Sequence, residues 1–423
     1  MMQGVLRTEV METKAHPELS SLCHQVKNLY NRANYLYKQA QQQRTTLSYY
    51  ELNGQLKGEE CYMLLPAHTA QHTLKLLCRN WKAFYQARKE WKVHPERFLG
   101  SPQPPKYKSP GGEMVAIITN QQVRIQNGWL LLPKKVGFKI KTRLTSLDSI
   151  REVRIVPRGV GYTVEIVYHK NIPKRLQKKN TRKGAMDLGL TNLVTFVDNI
   201  GSRSIIVKDE GKGIKSTTQY YLKRISQLQE QYAQQQRKQL RQQNRLVYGQ
   251  VYHRLRERWR RKVKEYFHQL SRFLVNLWKE RELSTIYIGY NPLWKQQVRL
   301  RKKTTQLFVI IPFHHLISLL EYKAAEEGID IVLVDESYTS KCSFLDNEPV
   351  QKQTSYQGRR VKRGMFKSAT GQLINADVNA AYNILLKSDP QALPPRSVGG
   401  VGGYVIYPHR VSYSTMTSTK TLV

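Results

Sequence analysis

Acids are scarce in this chain. It carries 31 Asp and Glu against 69 Lys and Arg, a formal net charge of +38 over 423 residues. Repulsion of that size opposes compaction unless a polyanion neutralises it. A large nucleic-acid partner is therefore expected, with affinity that falls steeply with salt. Cysteine is scarce too. Cys23, Cys61, Cys78 and Cys342 are scattered and form no CxxC pair. That argues against a disulfide framework and suits a reducing cytoplasm. No apolar run approaches the ~18 residues that span a bilayer. The opening MMQGVLRTEVMET lacks the apolar stretch of a secretory signal, so neither a signal peptide nor a membrane partner is expected.

The length leaves room for several domains of roughly 100–200 residues each. Residues 3–14 alternate as a strand. From Leu19 the period changes: Leu22, Val26, Leu29, Ala33 and Leu36 recur at three and four, the mark of an amphipathic helix. A second helical pattern runs through Ala70, Leu74, Leu77, Trp81 and Phe84. Tyr30, Asn31, Asn34, Tyr35, Tyr37 and Gln71 dot both helices, most as packing or surface and some as candidates to face bases. SPQPPKYKSPGG, 101–112, is a breaker and a domain junction. Strand-like runs follow to 169, with a hairpin turn at Gln126, Asn127 and Gly128.

Domains are read from these runs. Residues 1–16 and 112–180 form a small antiparallel barrel with a basic linker at its end, and 17–111 are a helical insertion into it. Residues 181–387 give three strands, helices, strand, helix, strand and helix. This is the order of an RNase H-like domain, a mixed α/β sheet. Residues 388–423 are rich in Gly, Pro, Ser and Thr and read as a disordered tail. Within 216–281 two long helices are expected. The second places Arg254, Arg258 and Arg261 off its apolar stripe of Val251, Leu255, Trp259, Val263 and Phe267, as a phosphate-facing side would.

A nuclease of the RNase H kind needs acids that converge from distant parts of the chain, because two Mg²⁺ ions clamp the attacking and leaving oxygens. Asp187 in AMDLGL lies in the first strand of the block. Asp377 in GQLINADVNAAYNILLK opens the last helix. Asn375, Asn379 and Asn383 surround that opening, and a metal there would account for them.

AMDLGLTNLVTF, IYIGYNPLWKQ, ESYTSKCS and INADVNAAYNILLK, with LYNRANYLYKQ and NWKAFYQA nearer the start, resemble the segments of the TnpB family. These are transposon-encoded RNA-guided DNA endonucleases, related to Fanzor proteins and type V CRISPR effectors. The resemblance implies a β-barrel wedge domain, an inserted helical recognition lobe at 17–111 and a RuvC nuclease domain at 181–387. It also implies motif-reading residues at Tyr49, Asn53, Gln71, Thr119 and Asn120.

Two departures from the family pattern stand out. The family closes its second catalytic strand with Glu, and here Gly289 and Tyr290 stand instead. A subset of the family carries another Glu one strand later, and Glu336 lies 46 residues beyond Tyr290. If both strands are parallel, their carboxyl ends share an edge, with about 4.8 Å between neighbours. Glu336 is then the relocated acid, and Asp335 alternates to the other face. The family's CxxC…CxxC zinc site is reduced to Cys342, and no His lies between 343 and 387. One thiolate cannot make a tetrahedral site. The 338–372 insert should hold no zinc. Phe344, Leu345, Tyr356, Met365 and Phe366 are read as an apolar plug, and Arg359, Arg360, Lys362 and Arg363 as a basic hairpin for the nucleic-acid backbone.

The expected function is a Mg²⁺-dependent, RNA-guided DNA endonuclease of a transposon, with a catalytic and metal set of Asp187, Glu336 and Asp377. Its partners would be a guide RNA from the transposon end and double-stranded target DNA. The setting would be the cytoplasm of a prokaryote, at the nucleoid. Monomer and dimer stay open. So do two other readings: a nuclease-inactive RNA-guided repressor, which the missing Glu favours, and a DDE transposase, which the element order disfavours.

Overall fold

The computed structural model describes residues 2–146, 149–173, 181–208, 213–237, 246–291, 302–362, 364–392, 408–412 and 416. They fall into two units, 2–172 with 249–254, and 173–248 with 255–423. Among the described residues no helix is long and apolar enough to cross a membrane.

The first unit opens with β1 (Met2–Lys14) and four helices: α1 (Pro17–Gln42), α2 (Tyr49–Leu56), α3 (Glu60–Met63) and α4 (Ala67–Val93). Proline starts α1, where its missing amide costs nothing. Ser48 and Glu51 form a reciprocal capping box on α2. The strands are β2 (Ala116–Thr119), β3 (Arg124–Gln126), β4 (Trp129–Leu131), β5 (Lys139–Lys141), β6 (Ile150–Pro157) and β7 (Gly161–Pro173). Among the described residues they do not pair as one small barrel. The described residues give a four-stranded sheet, β1-β7-β6-β2, and a three-stranded one, β3-β4-β5. The β3–β4 turn has Asn127 at φ 50° and Gly128 at φ 74°, as a two-residue hairpin requires. Leu29, Leu77 and Trp81 from the helices share one core with Ile118, Val153 and Ile155 from the strands.

The proline-rich stretch is strapped along α1. Asn31 Nδ2 donates to the Lys108 carbonyl at 2.9 Å, and its Oδ1 accepts from the Lys108 amide at 2.8 Å. Asn34 Nδ2 donates to the Pro105 carbonyl at 3.1 Å, and its Oδ1 accepts from Trp81 Nε1 at 3.0 Å. These asparagines hold backbone; the expectation that some polar groups here could face bases does not apply to them.

The second unit contains β8 (Lys183–Leu188), β9 (Asn192–Asp198), β10 (Ile205–Lys208), α5 (Ile214–Gln235), most of α6 (Gln250–Glu280), β11 (Thr285–Gly289), α7 (Lys302–Ile310), α8 (Phe313–Glu326) and β12 (Asp330–Val334). A small sheet of β13 (Arg359–Lys362), β14 (Met365–Lys367) and β15 (Leu373–Asn375) leads into α9 (Ala376–Ser388), and β16 (His409–Val411) follows. The main sheet has six strands in the order β12-β11-β8-β9-β10-β16. β9 is antiparallel to both neighbours, while β11 runs parallel to β8 and to β12. The fold is mixed α/β, as the element order implies.

The period of two sorts the sheet's side chains. Met186, Leu188, Ile286 and Ile288 pack with Phe267, Leu270 and Leu274 of α6 and Leu316 and Leu320 of α8. Ala185, Val197 and Ile206 pack on the other face with Val378, Ala381, Tyr382 and Leu385 of α9. The stripe on α6 is buried from Val263 onward, but Val251 is 58% exposed. α7 stops before Pro312, which has no amide to continue it, and α8 begins just after. The tail is not wholly irregular. β16 pairs in parallel with β10 and buries Val411, so it covers what would be an open sheet edge. Most of the basic linker, 174–180, lies outside the described residues.

Asp198, at the end of β9, is fully buried and paired with Arg281 Nη1 at 2.7 Å. Arg281→Ala strands that carboxylate. It should lower stability by about 3–5 kcal/mol, read as the shift in a urea unfolding midpoint. A loss below about 1 kcal/mol would mean that the backbone amides of Ile200 and Ser202, which also donate to Asp198, suffice alone.

Candidate active site

Strand direction assembles the site. Ile288 aligns with Met186, and Gly289 with Val334, so β8, β11 and β12 end at one level. Asp187 shares the α9 face with Ala185, and Gly289 shares it with Tyr287, while Tyr290 packs into the opposite core. The position that faces Asp187 is therefore Gly289. A Cβ there would sit 2.6 Å from Ile384 Cδ1 and 3.5 Å from Glu336 Cβ. The missing side chain leaves room for α9 and for the acid that follows β12.

The Asp187 carboxyl is pushed well above the ordinary aspartate range. Burial is the first cause, then the charges of Asp377 and Glu336, with Arg360 opposing them. Part of its surface still reaches solvent, but the protein packed around it sets the balance. Asp377 Oδ2 accepts from Asn192 Nδ2 at 2.6 Å, and Oδ1 lies 3.4 Å from Arg360 Nη2. The three acids thus share one electrostatic environment. Their hard oxygen donors suit Mg²⁺, and Thr195, cross-strand from Asp187, buries a hydroxyl with no hydrogen-bond partner. Among the described residues, however, no three His, Cys, Asp or Glu side chains are gathered as metal ligands. The donor set fits the ion chemically, and the carboxylates would have to close around it.

Asp335 lies beyond the last strand residue, so strand alternation does not govern it. Its carboxylate accepts from Ser337 Oγ at 2.8 Å and Lys387 Nζ at 3.0 Å. Burial raises its pKa, but these bonds outweigh that and hold it below the usual value. The asparagines near Asp377 also have other tasks. Asn375 caps α9 through the amides of Asp377 and Val378. Asn379 accepts from the Phe344 amide at 3.0 Å and donates to the Cys342 carbonyl at 2.9 Å. Asn383 donates to the Thr339 and Cys342 carbonyls at 2.8 and 2.7 Å. Asn379 and Asn383 thus grip a loop, while Asn375 caps the helix.

That loop is closed from within. Buried Glu348 accepts from the amides of Ser343 at 2.7 Å and Gln357 at 3.1 Å. The buried Cys342 thiol donates to the Pro349 carbonyl at 3.4 Å, and burial pushes its pKa up. Phe344 stacks on Tyr382 at 4.3 Å, and Phe366 is buried beside them. Leu345 borders this plug; Tyr356 and Met365 are only half-buried. Arg359, Arg360 and Lys362 are all exposed on β13. Arg363 lies outside the described residues.

Sequence comparison bears on both halves of this unit. Residues 165–295, which include Asp187, match the OrfB_IS605 family, described as a probable transposase. Residues 313–384, which include Glu336 and Asp377, match the Cas12f1-like TNB domain. A curated relative, the TnpB-like protein ORF457 of Acidianus two-tailed virus, is 27% identical over 267 residues, 62% of this chain and 50% of that protein. The chain is thus similar, over parts of its length, to a probable transposase family, to the Cas12f1-like TNB domain and to a TnpB-like protein.

The match spans about half the length of that curated TnpB-like relative. Two solved structures are also similar, at 14% identity each. A Cas12f1–sgRNA–target DNA complex has a TM-score of 0.35, covering 89% of this chain and 98% of its own. A CRISPR-Cas12f ternary complex has 0.34, covering 86% and 80%. The residues that the TnpB resemblance implies as motif readers all lie in the first unit. Asn53 Oδ1 accepts from Tyr62 OH at 2.9 Å, and Gln71 bonds the same tyrosine. Lys75 Nζ stands 5.1 Å over the Tyr49 ring, Thr119 Oγ1 is 3.0 Å from His68 Nδ1, and Asn120 is exposed. Arg254, Arg258 and Arg261 are exposed on α6, with Arg254 donating to Gln250 Oε1 at 2.9 Å. Sequence reasoning missed Asn192 and the placement of Arg360 beside Asp377. Nothing in the spacing of either residue marks it, because both contacts arise only on folding.

Two outcomes are expected. Below its raised pKa the folded Asp187 keeps a proton that the unfolded chain loses near pH ~3.9. Stability should therefore fall as pH rises above that value toward the folded one. Asp187→Asn should flatten this slope and raise the thermal midpoint of metal-free protein at neutral pH; a lower midpoint would show the carboxylate to be satisfied. Elemental analysis should find no stoichiometric zinc. Cys342→Ser should cost no more than about 1–2 kcal/mol, whereas zinc lost on that substitution would overturn the reading of the loop.

Proposed function

We propose that the chain is an RNA-guided DNA endonuclease with a RuvC-type, RNase H-like site in which Glu336 replaces the acid absent at Gly289. The observation that carries this is the coupling of Asp187 to Asp377 and Glu336, three acids from separate elements. The similarity to a TnpB-like protein and to the Cas12f1-like TNB domain, and the excess of positive charge, support it.

Asp187, Glu336 and Asp377 would hold Mg²⁺. When bound, two such ions polarise a phosphodiester and lower the pKa of attacking water. The chain's own groups do the rest. Asn192 fixes one oxygen of Asp377 and so sets the carboxylate plane. Arg360 offers its guanidinium beside Asp377, where a scissile phosphate would take it up bidentately. The exposed arginines of α6 and β13 would track the backbone, a contact set by charge and blind to sequence. Specificity would come from pairing with a guide RNA and from a short duplex motif read by the first unit.

Asp187→Ala, Glu336→Ala and Asp377→Ala should each lower Mg²⁺-dependent cleavage of a guided target by roughly 10³-fold or more, since members of one catalytic unit fail together. Guided binding, measured by gel shift, should survive in all three, and Asp335→Ala should cut nearly normally. RNA recovered with the protein should be one defined transcript. A wild type that binds its guided target but never nicks it, in Mg²⁺ or Mn²⁺, would be a repressor instead.

A further inference from the structure

The proposed acid that follows β12 has a mechanical problem. β12 is an edge strand of the sheet, with Val332 and Leu333 each 42% exposed. Glu336 lies beyond its end, outside the ladder that fixes Asp187. An acid on a loose loop cannot hold the ~0.5 Å precision that a site of this kind needs.

The loop after Glu336 is fastened. Thr339 Oγ1 donates to the Glu336 carbonyl at 2.8 Å, and the Thr339 amide donates to the same oxygen at 3.2 Å. The Thr339 carbonyl in turn accepts from Asn383 Nδ2 at 2.8 Å. Thr339 is 4% exposed and Asn383 fully buried. Between Glu336 and Thr339, Tyr338 sits at φ 70°. A bulky residue keeps that backbone only where its surroundings over-determine it. Asn383 lies on α9, the helix whose first turn carries Asp377.

We infer that Thr339 and Asn383 are positioning residues that tie the backbone of Glu336 to the helix of Asp377. The inference rests on the proposed nuclease site. The hydroxyl of Thr339 is the link that a substitution can remove with little change of volume. Asn379 is the control: it is on the same helix, equally buried, and grips the same loop, but at Cys342 and Phe344 rather than next to Glu336.

The test uses full-length protein and Mn²⁺. Thermal unfolding is followed against Mn²⁺ without nucleic acid, and guided cleavage and guided binding are followed against Mn²⁺ in the complex. Thr339→Val should need at least ten times more Mn²⁺ for half-maximal stabilisation and for half-maximal cleavage. Its metal-free unfolding midpoint and guided binding should match wild type. Thr339→Ser, which keeps the hydroxyl, should titrate within threefold of wild type. Asn379→Ala should lower the midpoint without a comparable Mn²⁺ shift. A Thr339→Val protein that titrates like wild type overturns the inference. So does a Mn²⁺ shift that Thr339→Ser shares, or one that Asn379→Ala reproduces in proportion to lost stability. If Mn²⁺ stabilises wild type and Asp187→Ala equally or not at all, the site reading falls, and the latch falls with it.

Discussion

Strands that run the same way through one sheet finish on one edge, and β8, β11 and β12 do so here. That constraint places Asp187, Gly289 and Val334 side by side although more than a hundred residues separate the first from the last. It also limits where an acid can be moved. A side chain just beyond β12 comes close to the end of β11 because the neighbouring strand ends at the same level, one ladder spacing away. The bare Cα of Gly289 leaves the space into which Ile384 and Glu336 come.

The same edge concentrates like charge. Asp187 is surrounded by protein and looks toward two other acids, so its charged form is penalised by desolvation first and repulsion second. Arg360 and Asn192 offset only part of this. Such an arrangement is poor for stability in a metal-free chain, and strain of this kind is common where a site must receive a cation.

Around that edge hydrogen bonds close the loop that follows Glu336. Where the family pattern has four cysteines, this chain buries Glu348 among backbone amides and sets Asn379 and Asn383 into the loop from α9. A buried carboxylate that accepts two amides holds chain segments together as a metal would, but with shorter reach. Apolar stacking of Phe344 on Tyr382 closes the rest. The basic strand β13 stays exposed next to this plug.

Much was legible in the order of residues. Period three-and-four marked α1, α4 and α6, period two marked the strands, and Pro and Gly marked the turns, since each follows from local backbone geometry. The charge excess and the family segments around Asp187 and Asp377 were equally plain. The rest depended on contacts between distant residues. Polarity alone made Asn379 and Asn383 resemble ligands; only the packed loop shows that their amides hold carbonyls. Alternation assigned Asp335 to another face, but the strand ends at Val334, and Lys387 takes the carboxylate. The Gly/Pro-rich tail gave no sign of β16, because a three-residue strand has no period of its own and exists only where β10 offers an open edge. Sequence by itself determined which elements form and which residue types could do chemistry. Tertiary structure decided which of them meet, because strand direction, register and the burial of each charge are properties of the assembled sheet.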